Sequence, residues 1–136
     1  MNLERLLPVA ALFALGTAPS AALAQPLAIE GHWANPKGSM IVSVDRCGQG
    51  YCATVVKASD KAKANARKGG TANFIGTQIL DVRPAGDGTF KGTAFDPETN
   101  MHPSTTVRIV GAGVMTIKGC VFAGLICEQQ RWTKIN

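Results

Sequence analysis

Alternating apolar and polar residues, divided into short runs by turn residues, constrain this sequence more than any other feature. In one run, Met40, Val42 and Val44 fall on one face of an extended segment while Ser43 and Asp45 fall on the other. Most of the runs end in glycine, proline or asparagine, the residues that favour turns. Eight such candidate strands follow one another, at residues 29–34, 39–46, 51–57, 75–82, 89–95, 102–110, 114–119 and 127–135.

The spacing of these eight segments predicts a single all-β domain. The runs recur about every 8–12 residues, which is typical of barrels and sandwiches. Short connections between consecutive strands favour an up-and-down arrangement, and closing the sheet removes the edges that would otherwise template aggregation. We therefore expect an eight-stranded antiparallel up-and-down barrel, whose interior is either filled by side chains or able to hold one small ligand.

One stretch departs from the strand pattern. Residues 59–70 read SDKAKANARKGG, with a capping residue at Ser59 or Asp60, cations toward the end and two glycines after them. These are the start and stop signals of a short helix. The stretch has no stripe of large apolar side chains. We therefore expect a short exposed helix or loop at about 59–70 that buries no face.

The first 24 residues have the composition of an export signal. Arg5 gives a positive start, residues 6–15 form a short apolar run, and residues 22–24 form an A-x-A cleavage site. The apolar run is too short for a transmembrane helix. We expect a signal peptide over 1–24 and a single barrel domain over 25–136, periplasmic or secreted, with no transmembrane anchor.

Four cysteines in an oxidising compartment predict structural disulfides. Cys47 lies close to Cys52 in the sequence, and Cys120 lies close to Cys127. Each pair brackets a segment with glycine that can turn back on itself, so we favour these two local pairings among the three possible connectivities. Neither pair has the two-residue spacing of zinc ligands, and we expect no metal and no cofactor.

The formal net charge of +5 is concentrated in one connection. Five cations there, which we call the basic stretch, are opposed only by Asp60. The stretch is either a solvated loop or a contact for an anionic envelope surface, such as membrane headgroups. No stacking aromatic residues accompany it, so we expect no nucleic-acid partner. The basic stretch consists of Lys57, Lys61, Lys63, Arg67 and Lys68.

Candidates for catalytic chemistry are few, and we expect no enzyme activity. The two histidines, His32 and His102, lack a patterned third ligand for a metal. Ser104, His102 and Asp96 could supply a nucleophile, a base and a carboxylate. No nucleophile elbow or oxyanion-hole motif accompanies them, so an exposed polar strand end is the simpler interpretation.

Short motifs from about Gly31 to Lys134 resemble one bacterial family. They include GHW at 31–33, RCGQGYC at 46–52, GTAFDPE at 92–98 and QRWTK at 130–134. Their order and spacing resemble the domain-of-unknown-function 2147 family of small exported proteins. The resemblance implies a lipocalin-like barrel and a periplasmic or secreted location, and it implies no established activity. That family usually carries an Asn-Pro-Asp-type loop after the third strand, where this chain has an alanine-rich basic segment.

The pair Gly31-x-Trp33 is also similar to the lipocalin first-strand signature. In that signature the tryptophan closes one end of the barrel, and a late basic residue packs across its ring. Arg131 lies at a suitable sequence position for this contact, a cation–π interaction of about 0.5–2 kcal/mol. We therefore expect Trp33 and Arg131 to form a barrel closure.

The sequence is compatible with two different functions. In one, the barrel binds a small apolar or amphipathic ligand, and the basic stretch attracts the anionic end of that ligand. In the other, a packed barrel without a cavity acts through its loops as an envelope interaction or inhibitor protein. We expect a monomer in either case, and a hollow interior would favour the first function. The candidate interior side chains are Met40, Val42, Val44, Phe95, Val107, Ile109 and Trp132.

Overall fold

A computed structural model describes Gly16 and residues 29–136 of the chain. Apart from Gly16, the predicted signal peptide over 1–24 lies outside the described residues. No helix in the described part is long and apolar enough to cross a membrane. In chain order the elements are β1 (Gly31–Ala34), β2 (Met40–Cys47), β3 (Gly50–Ala58), α1 (Asp60–Lys68), β4 (Gln78–Pro84), β5 (Thr89–Ala94), β6 (Ser104–Ile109), β7 (Val114–Val121) and β8 (Ile126–Lys134).

The eight strands form the closed antiparallel up-and-down barrel that the sequence predicts. Each strand pairs with the next, and β8 pairs back onto β1 through Trp33 opposite Lys134. We call the end that carries the β2–β3, β4–β5 and β6–β7 turns the closed end. The open end carries the β1–β2 loop, α1, the β5–β6 loop and the β7–β8 hairpin.

The predicted strands are found with ends that differ by a few residues. The largest difference is at β4, predicted from residue 75 and observed from Gln78. Thr77 donates its backbone N–H to the Phe74 carbonyl, and Gly76 has a φ of 89°. A turn therefore occupies this position before the strand begins, because a left-handed backbone cannot continue an extended ladder.

The core occupies the barrel interior and extends to the open end at Ala66 and Phe74, and every strand contributes at least one buried side chain. Among the predicted interior residues, Val42, Val44, Val107 and Trp132 are buried, and Met40 and Ile109 pack against the core while partly buried. Phe95 follows the last residue of β5 at the open end; it is partly buried and lies outside the core cluster, but it lines the cavity in the barrel interior. The buried hydrophobic strand residues are Trp33, Val42, Val44, Ala53, Val55, Leu80, Val82, Phe90, Val107, Met115 and Trp132.

Trp33 closes one end of the barrel, but the predicted partner Arg131 is wrong. Trp33 is fully buried and donates its Nε1–H to the Ile29 carbonyl at 2.8 Å. The cation over its ring is Lys134, whose Nζ lies 5.6 Å from the ring centroid. Side chains alternate along a strand, so Lys134 shares the inward face of Trp132 while Arg131 faces solvent.

Helix α1 buries a face, which corrects the expectation of an exposed helix. Ala62 and Ala66 lie one turn apart and are both buried, and Ala66 belongs to the core cluster. Ser59 caps the helix by accepting the Ala62 N–H on its side-chain oxygen at 3.1 Å. A Cβ at Gly69 would lie 2.2 Å from the Pro97 carbonyl oxygen. Small residues thus allow a close approach that large apolar side chains would prevent.

Both predicted disulfides are present. Cys47 bonds to Cys52 across the β2–β3 hairpin, and Cys120 bonds to Cys127 across the β7–β8 hairpin. The first braces the closed end and the second braces the open end. Each pair brackets a hairpin connection, and that is why sequence proximity alone identified the partners.

Removing either disulfide should destabilise the barrel by a similar amount. The chain-entropy model assigns about 2 kcal/mol to the Cys47–Cys52 loop and about 2.5 kcal/mol to the Cys120–Cys127 loop. The double variants Cys47→Ser/Cys52→Ser and Cys120→Ser/Cys127→Ser should lower the free energy of unfolding in urea by these amounts. Because the two bonds lie at opposite ends, the losses should add in the quadruple variant. An unchanged urea midpoint in either double variant would contradict this expectation.

Candidate functional site

The open half of the barrel is hollow. A cavity of about 740 Å³ extends from the core to the open end. Small residues on the inward face line it, including Ala53, Ala94, Thr105 and Gly119, whereas Trp33 is buried in the closed half. The cavity exists because residue size changes along the inward face of the barrel. Its apolar floor and wall include Val42, Leu80, Met115, Ile117 and Trp132.

Strand β8 contributes two polar side chains to the cavity wall. Gln130 and Glu128 follow Trp132 at two-residue intervals toward the open end, so all three face inward. The Trp132 Nε1–H donates to Gln130 Oε1 at 3.0 Å, which leaves the Gln130 Nε2–H groups available to a ligand. Among the described residues, Glu128 has no hydrogen-bond or ion-pair partner. Its carboxylate is therefore available to a bound molecule.

The β5–β6 loop holds further carboxylates at the cavity mouth. Asp96 accepts the Glu98 backbone N–H at 3.0 Å and the Thr99 hydroxyl at 2.9 Å. The Asp96 N–H donates to the Met101 carbonyl at 2.9 Å, which closes the loop. The Asp96 carboxylate is thus occupied in shaping the loop, while Glu98 lines the mouth without such a role.

The charged groups of the cavity lining are mostly acidic. Asp96, Glu98 and Glu128 line the cavity, and Lys37 from the β1–β2 loop is the cation among the described lining residues. No member of the basic stretch lies in the lining. The basic stretch therefore lies outside the lining, at the same end of the barrel as the cavity mouth, and the lining itself does not support the hypothesis that this stretch attracts the anionic end of a bound ligand.

The candidate catalytic residues are not assembled into a site. The His102 ring stacks on Phe95 with centroids 5.1 Å apart, and Asp96 shapes its own loop. Among the described residues, no side-chain hydrogen bond joins any two of Ser104, His102 and Asp96. His32 lies at the closed end, where its Nδ1 contacts the Asn136 side chain, so the two histidines are far apart in the fold.

Two other groups at the closed end are accounted for structurally. Asp81 lies within 4.8 Å of the Cys47 and Cys52 sulfurs, but sulfurs bonded to each other are not the thiolates that a metal binds. In the β4–β5 turn, the Thr89 hydroxyl and N–H both donate to Asp87. These hydrogen bonds, the side-chain one first, hold the pKa of Asp87 below its ordinary value.

A closed eight-stranded up-and-down barrel with a cavity at its open end defines a lipocalin-like protein. A solved structure with this architecture, titled "Protein HP1028 from the human pathogen Helicobacter pylori belongs to the lipocalin family", is similar to this chain. It superposes with a TM-score of 0.60 at 12% identity, covering 79% of this chain and 82% of the other. At that identity the likeness shows the fold alone.

The chain belongs to the DUF2147 family, described as "Uncharacterized protein conserved in bacteria", whose family model matches residues 31–134. This confirms the family resemblance that the sequence motifs indicate. No curated protein matches the chain.

Sequence reasoning missed the polar residues of the cavity. The predicted site residues did not include Glu128, Gln130 or Lys37. Arg131 was predicted at the position over Trp33 that Lys134 occupies. A signal was present for two of them, because counting back by twos from Trp132 places Gln130 and Glu128 on the same inward face. No alternation of side chains identifies Lys37, because this residue lies in a loop.

Proposed function

We propose that this chain is an exported protein whose barrel binds one small apolar or amphipathic molecule in its open half. The observation that carries the proposal is the cavity of about 740 Å³, with an apolar floor and a few polar groups near the mouth. Its volume lies within the range of about 300–1,000 Å³ typical of small-molecule sites. Two disulfides support a periplasmic or secreted location.

The alternative, a packed barrel that acts through its loops, is less well supported. That alternative required an interior filled by side chains, whereas the described residues line a cavity that opens to solvent at one end. The candidate catalytic residues also lie apart from one another, which favours a binding role over a catalytic one. The hollow interior thus favours ligand binding among the competing functions.

The charges of the lining narrow the class of ligand. Carboxylates outnumber cations there, and Glu128 has no partner among the described residues. A ligand with an apolar body and a cationic or hydrogen-bond-donating end would pair with Glu128. An anionic end would instead be repelled by it, since like charges close together are unfavourable. We therefore propose that the cavity prefers neutral and cationic amphiphiles over anionic ones.

Blocking the cavity should abolish binding without unfolding the barrel. Glu128→Trp places a large ring on the inward face at the wide part of the cavity, where the glutamate side chain is exposed. The neighbouring Gln129→Trp is the matched control, because Gln129 is also exposed and lies on the outward face. We expect the fluorescent apolar probe N-phenyl-1-naphthylamine to bind the wild type and Gln129→Trp equally. Its affinity for Glu128→Trp should fall at least about tenfold.

Competition against the same probe tests the charge preference. Dodecyltrimethylammonium should displace it at lower concentrations than dodecyl sulfate, both kept below their micelle concentrations. Glu128→Gln should reduce that difference, because it removes the charge while keeping the shape. Equal affinities of Glu128→Trp and Gln129→Trp for the probe would contradict binding inside the barrel. Preferential displacement by dodecyl sulfate would contradict only the ligand class.

A further inference from the structure

The β7–β8 hairpin presents an apolar surface to solvent at the open end of the barrel. Phe122 is 64% exposed, Leu125 is 85% exposed and Ile126 is 55% exposed. We call these three residues the apolar tip. Large apolar side chains exposed together in this way mark interaction sites, whereas single ones are ordinary.

The backbone of the hairpin holds the apolar tip in an unusual conformation. Phe122 and Ala123 have φ values of 54° and 55°, in the left-handed region that glycine and asparagine adopt most readily. Leu125 donates its backbone N–H to the Phe122 carbonyl at 3.1 Å, and the Cys120–Cys127 disulfide braces the base. A turn of this kind would be less strained with Asn-Gly, so turn geometry alone does not explain a phenylalanine there.

The basic stretch lies at the same open end as the apolar tip. It begins at Lys57 near the end of β3 and continues along α1, four strands around the barrel from the β7–β8 hairpin. Ala62 and Ala66 hold α1 against the protein, and four of the five cations are exposed. Together with Lys37, these cations outnumber the carboxylates at this end, which are Asp60, Asp96, Glu98 and the inward-facing Glu128.

We propose that the open end docks on the surface of an anionic phospholipid bilayer. The apolar tip would insert among the acyl chains near the headgroups, and the basic stretch would bind the headgroups on the opposite side of the mouth. Exposed apolar side chains and cations at the same end of a protein together favour peripheral membrane binding, since each supplies part of the affinity. Phosphate headgroups complement the charge, and acyl chains complement the tip.

This docking does not depend on the proposed function. It adds an orientation of the cavity relative to the bilayer. The apolar tip borders the cavity mouth, because Phe122 and Ile126 line the cavity together with the β5–β6 loop, and Gly69 at the end of α1 closely approaches that loop at Pro97. A barrel docked by its open end therefore points its cavity toward the bilayer. An amphipathic molecule could then pass between the membrane and the cavity without crossing open water.

Vesicle co-sedimentation tests the docking with the full exported protein. The protein should bind vesicles made of equal parts phosphatidylcholine and phosphatidylglycerol, and it should bind phosphatidylcholine vesicles much more weakly. Replacing one cation, as in Lys61→Gln, should lower the partition coefficient about fivefold. Leu125→Ser should lower it about tenfold or more, because the serine forfeits burial of a large apolar side chain.

Matched controls lie at the closed half of the barrel. Val110→Ser removes a valine that is 42% exposed in the β6–β7 turn, and Lys91→Gln removes an exposed cation from β5. Both should leave vesicle binding unchanged. Binding of N-phenyl-1-naphthylamine to Leu125→Ser should also stay unchanged, so that failure of docking and failure of ligand binding can be told apart.

Three outcomes would overturn the proposal. One is an absence of binding to the anionic vesicles, and another is an equal loss in Val110→Ser and Leu125→Ser. The third is a dimer in gel filtration that Leu125→Ser converts to a monomer while vesicles are not bound. In that case the apolar tip would be an interface between two copies of the chain.

Discussion

Trp33→Ala is expected to lower the free energy of unfolding by about 3–5 kcal/mol, the range found when a large aromatic side chain is removed from a core. Trp33 is fully buried between β8 and β2, paired with Lys134 and Val42. The alanine would leave a void at the closed end and leave the Ile29 carbonyl without its 2.8 Å hydrogen bond. Urea unfolding followed by circular dichroism measures the loss.

Two control variants test which cation packs on the Trp33 ring. Arg131→Ala should change the free energy of unfolding by less than about 0.5 kcal/mol, because Arg131 is an exposed surface residue. Lys134→Met keeps the apolar stem and removes the charge, so it should cost about 1 kcal/mol. A loss for Arg131→Ala that exceeds the loss for Lys134→Met would contradict the closure by Lys134.

The parts of the fold that the sequence predicted correctly depend on neighbours in the chain. Alternation over Met40–Val44 reports which face of one strand is buried, because successive side chains point to opposite faces. The disulfide between Cys47 and Cys52 spans one hairpin, so proximity in sequence is proximity in space. The barrel itself follows from adding such local units in order, since consecutive strands pair.

The features of the fold that were not predicted depend on the pairing register between strands or on the size of individual side chains. Alternation along β8 already places Lys134 on the face of Trp132 and Arg131 on the other face, but the contact of Lys134 with the Trp33 ring depends on the register of β8 against β1. Helix α1 was expected to bury nothing because alanines form no large apolar stripe. Ala66 is nevertheless completely buried, because a small side chain lets the helix approach the barrel closely.

The cavity could not be predicted for a related reason. It arises where small or polar residues of several strands, such as Ala53 and the paired Thr105 and Gly119, line the same part of the barrel interior. No single strand shows this pattern, and composition leaves open whether small residues lie together or are dispersed. Glu128 was recoverable in principle from alternation along β8, yet its meaning depends on the hollow space beside it.

Gly92→Ala is expected to destabilise the barrel by about 3 kcal/mol, at the upper end of the cost of over-packing. A Cβ at Gly92 would lie 2.0 Å from the Asp81 carbonyl oxygen and 2.8 Å from the Val82 Cα. Both atoms belong to the backbone of β4, so no side chain can move aside and the two strands must separate. Urea unfolding of the variant measures the cost.

Gly119→Ala is the matched control for this clash. Gly119 also lies in a barrel strand, but a Cβ there would meet only the Pro103 ring, at 3.2 and 3.4 Å. A small shift of that ring can accommodate the methyl group, so the loss should stay below about 1 kcal/mol. Gly92→Ala should also weaken probe binding, because Ala94, two residues further along β5, lines the cavity. Equal stability of the two alanine variants would show that β4 and β5 can separate at little cost, and that the close approach at Gly92 does not hold this side of the cavity in place.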